Sequence, residues 1–123
     1  MTTWITICDT CKRDDWEAGD MALTDGERLA YLIEARAKDS VVKTRRTSCL
    51  MGCTHGCNVA IQATGKLAYT VGNFTPDETA ADAIVTYAEL HADSDSGQVP
   101  YRQWPQDIKG HFITRHQPLP EEP

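Results

Sequence analysis

Apolar positions along the chain fall into short blocks separated by polar breaks. Trp4-Ile5-Thr6-Ile7 is aromatic and β-branched throughout, which favours a first strand even without strict alternation. From Asp9 to Asp20 no apolar period is sustained, and Asp14, Asp15, Glu17, Gly19 and Asp20 give that stretch the character of a loop. Thr24-Asp25-Gly26-Glu27 has the form of a capping box, in which the threonine oxygen and the glutamate carboxylate each take a free backbone N–H of a first helical turn. The helix predicted there buries Leu29, Leu32, Ile33 and Ala37 on one face and ends near Asp39. Ser40 to Ser48, with Val41, Val42, Thr44 and Thr47, reads as a second strand. Asn58–Ala63 and Lys66–Val71, joined by Thr64-Gly65, read as a hairpin. A second capping box, Thr75-Pro76-Asp77-Glu78 with proline at the first helical position, opens a helix to about Asp93 whose face is Ala80, Ala83, Ile84, Tyr87, Ala88 and His91. Beyond it, Pro100, Pro105, Pro118, Pro120 and Pro123 disfavour regular structure, leaving room for at most a short helix near Asp107.

The order β-α-β-β-β-α, with a parallel first unit and a closing hairpin, suits a helix-covered mixed sheet and the α/β class. The length of 123 residues allows one core. Residues 1–93 are expected to form the domain, and residues 94–123 a proline-rich tail packed on it or used for docking. No window approaches the roughly 18 apolar residues of a membrane span. The opening Met1-Thr2-Thr3-Trp4 also lacks signal-peptide character. A cytoplasmic, membrane-free protein is expected. The formal net charge of −6 argues against nucleic acid as a partner.

Five cysteines in a reducing compartment point to metal ligands, reactive thiols or buried fillers rather than disulfides. Cys8-Asp9-Thr10-Cys11 and Cys49-Leu50-Met51-Gly52-Cys53 each follow a predicted strand, and neighbouring strand ends can converge. Four thiolates there suit tetrahedral zinc or two bridged irons. Four buried fillers would instead be spread over core faces.

The run Cys49-Leu50-Met51-Gly52-Cys53-Thr54-His55-Gly56-Cys57, followed by an apolar strand, resembles the second half of the cluster motif of thioredoxin-like [2Fe–2S] ferredoxins and of the related small subunit of respiratory complex I. The likeness covers roughly Trp4 to Asp93. It is closer still to an uncharacterised bacterial family of predicted metal-binding proteins often encoded near cobalamin genes, in which the Gly-Cys pair and Val99-Pro100-Tyr101-Arg102 have counterparts. The resemblance implies a thioredoxin-like mixed sheet and a [2Fe–2S] cluster on Cys8, Cys11, Cys49 and Cys53. It also implies a one-electron carrier rather than an enzyme, serving cobalamin or other tetrapyrrole metabolism. The first pair is closer than the usual ferredoxin spacing, and Cys57 stands where those ferredoxins have proline. Cys57 is therefore read as a packing or cluster-contacting residue, with a ligand or redox role as the alternative.

Reduction adds negative charge to such a cluster, so the cations Lys43, Arg45 and Arg46 just before Cys49 are candidates for tuning its potential, or else are solvated edge charges. Alternation places Lys43 and Arg45 on one face of the strand and Arg46 on the other. His55 is read as an exposed loop residue. Tyr101, Arg102, Trp104 and Arg115 either strap the tail across the domain or dock a redox partner protein. A homodimer is a further candidate assembly. Two other functions use the same cysteines: a zinc-stabilised binding module, and a dithiol oxidoreductase on Cys8 and Cys11. The second ranks last because the helix-start signal at Thr24 comes well past Cys11 in the chain.

Overall fold

In a computed structural model of the protein, residues 2–10, 24–48, 50 and 56–120 are described. The elements are β1 (Trp4–Cys8), α1 (Asp25–Ala37), β2 (Lys43–Thr47), β3 (Val59–Gln62), β4 (Ala68–Val71), α2 (Glu78–Asp93) and β5 (Phe112–His116). Two single 3₁₀ turns, Tyr101–Gln103 and Gln106–Ile108, lie between α2 and β5. The five strands form one mixed sheet in the order β2-β1-β3-β4-β5. Only β1 and β2 run parallel, joined by the α1 crossover, while β3, β4 and β5 add antiparallel.

Register explains which side chains are buried. Ile5, Ile61 and Tyr69 pair in one row and Ile7, Val59 and Val71 in the next, so these six share a face. That face meets Leu29, Ala30, Ile33 and Ala37 of α1 and Ala80, Ala81, Ile84, Tyr87 and Ala88 of α2 in one continuous core. Thr6, Ala60 and Thr70, paired across the same strands, point to the opposite face, together with Trp4, Lys43 and Arg45.

Helix α1 starts where its capping box predicts. The Glu27 N–H donates to the Thr24 hydroxyl oxygen at 3.0 Å, and the Thr24 N–H donates to the Glu27 carboxylate at 3.2 Å. Helix α2 starts later than expected. Its cap is Asp77, in extended backbone, whose carboxylate accepts from the Ala80 N–H at 2.9 Å. Pro76 therefore precedes the cap instead of opening the helix, and the stronger carboxylate acceptor lies two residues beyond Thr75.

The larger departure is in the tail. Pro100 and Pro105 sit just ahead of the two 3₁₀ turns, and the proline-free run Phe112–His116 forms a fifth strand on β4. Val99 and Ile108 enter the core, and Phe112 packs edge-on to Tyr69 and Tyr87 at ring separations of 5.5 and 5.2 Å. Phe112-Ile113-Thr114 is itself a strand-favouring run, and the prolines on either side of it obscured that signal, which the β4 edge then completes. Among the described residues, no helix is long and apolar enough to cross a membrane.

A buried polar latch joins the start of the chain to α2 and the hairpin. His91, fully buried, donates from Nε2 to the Leu67 carbonyl at 2.7 Å, which leaves Nδ1 to accept from the Thr3 hydroxyl at 2.9 Å. Lys66 Nζ caps the end of α2 by donating to the carbonyls of His91 and Ala92 at 3.0 and 2.7 Å. Burial, aided by the Lys66 charge, pulls the imidazole below its ordinary value, against the opposing pull of the Leu67 carbonyl. The unfolded chain thus binds a proton that the folded one refuses. This contribution is complete above the ordinary imidazole value of about 6.5 and is lost as pH falls from there toward the folded value. Urea unfolding at about pH 7 and about pH 5 should show a loss of up to about 1.4 kcal/mol per pH unit from this group, a slope that flattens in His91→Gln. An unchanged slope in the variant would assign the acid sensitivity elsewhere.

Candidate metal centre

Strand β1 ends on the first cysteine. Cys8 is buried and pairs with Thr47 in the parallel register, so the residue two beyond its partner is Cys49. The two chains stay joined past the strands. The Asp9 N–H donates to the Thr47 carbonyl at 3.0 Å, and the Thr10 hydroxyl donates to the Ser48 carbonyl. On the other flank the Cys8 N–H donates to the Asn58 carbonyl at 3.3 Å, which ties the start of β3 to the same spot. Cys8 Sγ lies 3.8 Å from the Thr10 hydroxyl oxygen, within reach of a sulfur hydrogen bond. The carboxyl ends of β1 and β2 and the amino end of β3 therefore meet at one end of the sheet.

Of the four expected ligands, Cys8 stands at that junction, whereas Cys11, Cys49 and Cys53 lie outside the described residues, as do His55 and Gly52. Cys57 is fully buried and belongs to the hydrophobic core at the head of β3, next to Asn58. Among the described residues, no group of three or more His, Cys, Asp or Glu side chains is placed to hold a metal.

The donor chemistry at the junction nevertheless fits a thiolate-ligated group. The first turn of α1 lies directly against Cys8 and Asp9: the Thr24 hydroxyl donates to the Asp9 carbonyl at 2.5 Å, and a Cβ built on Gly26 would stand 2.1 Å from the Cys8 carbonyl oxygen. Only glycine permits that approach. The positive end of the helix dipole is thereby set beside the cysteine junction, an arrangement that favours thiolate and other negative charge. The chain distance from Cys11 to Thr24 conceals this closeness, because the first turn of α1 folds back onto the end of β1.

The three cations of β2 divide as alternation predicts. Arg45 reaches across the open face, donating from Nε to the Thr6 hydroxyl at 2.6 Å and from a terminal nitrogen to Gln62 at 3.4 Å. Arg46 turns to α1, where both of its bonds go to Glu34, at 2.8 and 2.7 Å, and its guanidinium covers the Tyr31 ring at 4.6 Å. Lys43 is exposed at the far end of the strand, paired with Trp4. The charge of Arg46 is thus balanced locally, whereas among the described residues Arg45 meets neutral partners, a distinction no strand pattern contains.

Comparison with known proteins bears on the fold and the family. A family model described as "Protein of unknown function (DUF1636)" matches residues 5–118. A thioredoxin-like [2Fe–2S] ferredoxin from Aquifex aeolicus superimposes with a TM-score of 0.57 at 16% identity, covering 95% of this chain and 94% of that one. The fold is accordingly thioredoxin-like. No curated protein matches the sequence.

The Gly26 contact yields a direct test. Gly26→Ala should push α1 off the Cys8–Asp9 backbone and cost about 1–3 kcal/mol, the usual range for overpacking, read as a lowered thermal midpoint. Retention of the wild-type midpoint would mean that α1 and the β1 end are not held in contact.

Proposed function

Since the chain belongs to the DUF1636 family, whose function is unknown, we propose that it is an electron carrier holding one [2Fe–2S] cluster on the thiolates of Cys8, Cys11, Cys49 and Cys53. The observation that carries this reading is the Cys8–Thr47 pairing, which brings together at one end of the sheet the residues next to the two cysteine segments, Asp9 and Thr10 on one side and Thr47 and Ser48 on the other. The thioredoxin-like fold shared with a [2Fe–2S] ferredoxin supports it. When bound, such a group supplies reversible one-electron exchange, and with four protein ligands it leaves no open coordination position for a substrate. The serving pathway is proposed as cobalamin or other tetrapyrrole metabolism, on family resemblance alone.

The chain's own residues would then divide the work. Buried Cys8 anchors one edge of the site, held by the backbone bonds from Cys8 to Asn58 and from Asp9 to Thr47. The first turn of α1 stabilises added negative charge by its dipole, and Arg45, which like Lys43 has no carboxylate partner among the described residues, stands two residues nearer the cysteine end of β2. Cys57, packed in the core, supports the loop from beneath without donating to the metal.

Protein made with iron available and kept from oxygen should be red-brown, with about two irons and two sulfides per chain. Stoichiometric zinc without sulfide would replace this reading with a structural zinc site. Cys49→Ala or Cys53→Ala should lose the visible spectrum and Cys57→Ala should keep it. If Cys57→Ala abolishes the spectrum while Cys11→Ala preserves it, the ligand set becomes Cys8, Cys49, Cys53 and Cys57.

Potentiometry tests the charges separately. Arg45→Gln should lower the midpoint potential, whereas Arg46→Gln, which also frees Glu34, should lower it only if the Glu34 carboxylate is felt at the cluster. No change in Arg45→Gln would leave that residue as a surface charge.

A further inference from the structure

The outer edge of β5 is unlike the rest of the surface. As the last strand of the sheet it presents a row of backbone N–H and C=O groups that no other described strand pairs. Along it runs a cleft of about 470 Å³, lined by four successive residues of β5, Phe112 to Arg115, and by Val99, Tyr101 and Trp104. The Trp104 indole N–H is already spent on the Val99 carbonyl at 2.9 Å, so the ring lines the cleft as an apolar surface. Positive charge borders the cleft on an acidic protein. Arg115 lines it, and the segment from Tyr101 to His116 carries three cations against the single carboxylate Asp107, while the whole chain carries −6. Lys109 Nζ sits 4.6 Å above the Tyr101 ring, at the mouth. Such a cleft selects an extended segment with proline or aliphatic side chains for the aromatic faces and carboxylates for the rim.

Residues 117–123 form such a segment, Gln117-Pro118-Leu119-Pro120-Glu121-Glu122-Pro123. Leu119 is 90% exposed, the most exposed large hydrophobic side chain among the described residues. Among the described residues, the tail does not fill the molecule's own cleft. Gln117 and Pro118 border a different one, beside Gly65, Ser96 and Gln98 at the hairpin end, and Leu119 stays in solvent. We infer that the C-terminal segment of a second copy occupies the aromatic cleft beside β5, with Leu119 against Tyr101 and Trp104 and the terminal glutamates at the basic rim.

Backbone chemistry is compatible with this exchange. In an extended segment Pro118 and Pro120 fall on the same edge, so the N–H groups of Gln117, Leu119 and Glu121 remain together on the other, free to pair. Antiparallel addition of one β5 and its tail to another β5 runs each tail back past the partner's Phe112. The contact is its own reciprocal, and it closes as a two-fold dimer instead of growing into a filament. The inference is independent of the metal reading, because no cysteine takes part.

The test is the mass of the full chain in solution, by light scattering and sedimentation over a wide concentration range. A closed dimer is expected, with no larger species, shifting to higher concentration as salt screens the rim. Leu119→Asp and a chain ending at Gln117 should lose the dimer while keeping the wild-type circular dichroism and melting midpoint. Arg115→Glu should weaken it, and a peptide of residues 116–123 should compete it apart. A chain that stays monomeric throughout, or a dimer that survives both Leu119→Asp and the truncation, overturns the inference. So does a monomer whose cleft binds a foreign acidic proline-rich peptide but not its own.

Discussion

Strand β1 is held from three sides at one point, and the cysteine end of the molecule depends on that hold. Parallel β2 takes its register from β1, antiparallel β3 accepts the Cys8 N–H, and the first turn of α1 rests on the Cys8 carbonyl. Each contact involves backbone atoms, so the position of Cys8 is set by hydrogen-bond geometry and not by the rotamer of a long side chain. A thiolate anchored this way loses little further freedom on binding a metal, which is what a rigid redox site requires.

The far edge of the sheet, across β3 and β4 from Cys8, is organised by aromatic packing. Tyr69, Tyr87, Trp104 and Phe112 meet at ring separations between 4.5 and 6.0 Å, so the tail segment returns to the sheet and its strand becomes an edge. The His91 latch ties the same region to Thr3 just before β1. One sheet therefore carries a polar, cysteine-bearing end and an aromatic edge, so the proposed cluster and the proposed contact between copies lie on separate surfaces.

Much of the fold was legible along the chain because its signals are local. A capping box closes within one turn, a hairpin within a few residues, and buried stripes repeat every three or four positions, so α1, the β3–β4 hairpin and the face of α2 that ends in His91 all appear where the pattern places them. The candidate site was legible only as an expectation. Cysteine spacing identified the segments, and the strand preceding each suggested convergence, but neither could state that Cys8 pairs with Thr47.

By itself the sequence determined the α/β class, the order of the elements through α2, and the placement of both cysteine groups after strands. Tertiary structure alone decided the rest. It made Phe112–His116 a strand by offering the β4 edge, brought Gly26 against Cys8, and balanced Arg46 with Glu34 while leaving Arg45 among neutral partners. The physical reason is common to all three. Each depends on atoms far apart in the chain meeting at hydrogen-bond or van der Waals distance, and that meeting is set by strand order and register, which no local propensity encodes.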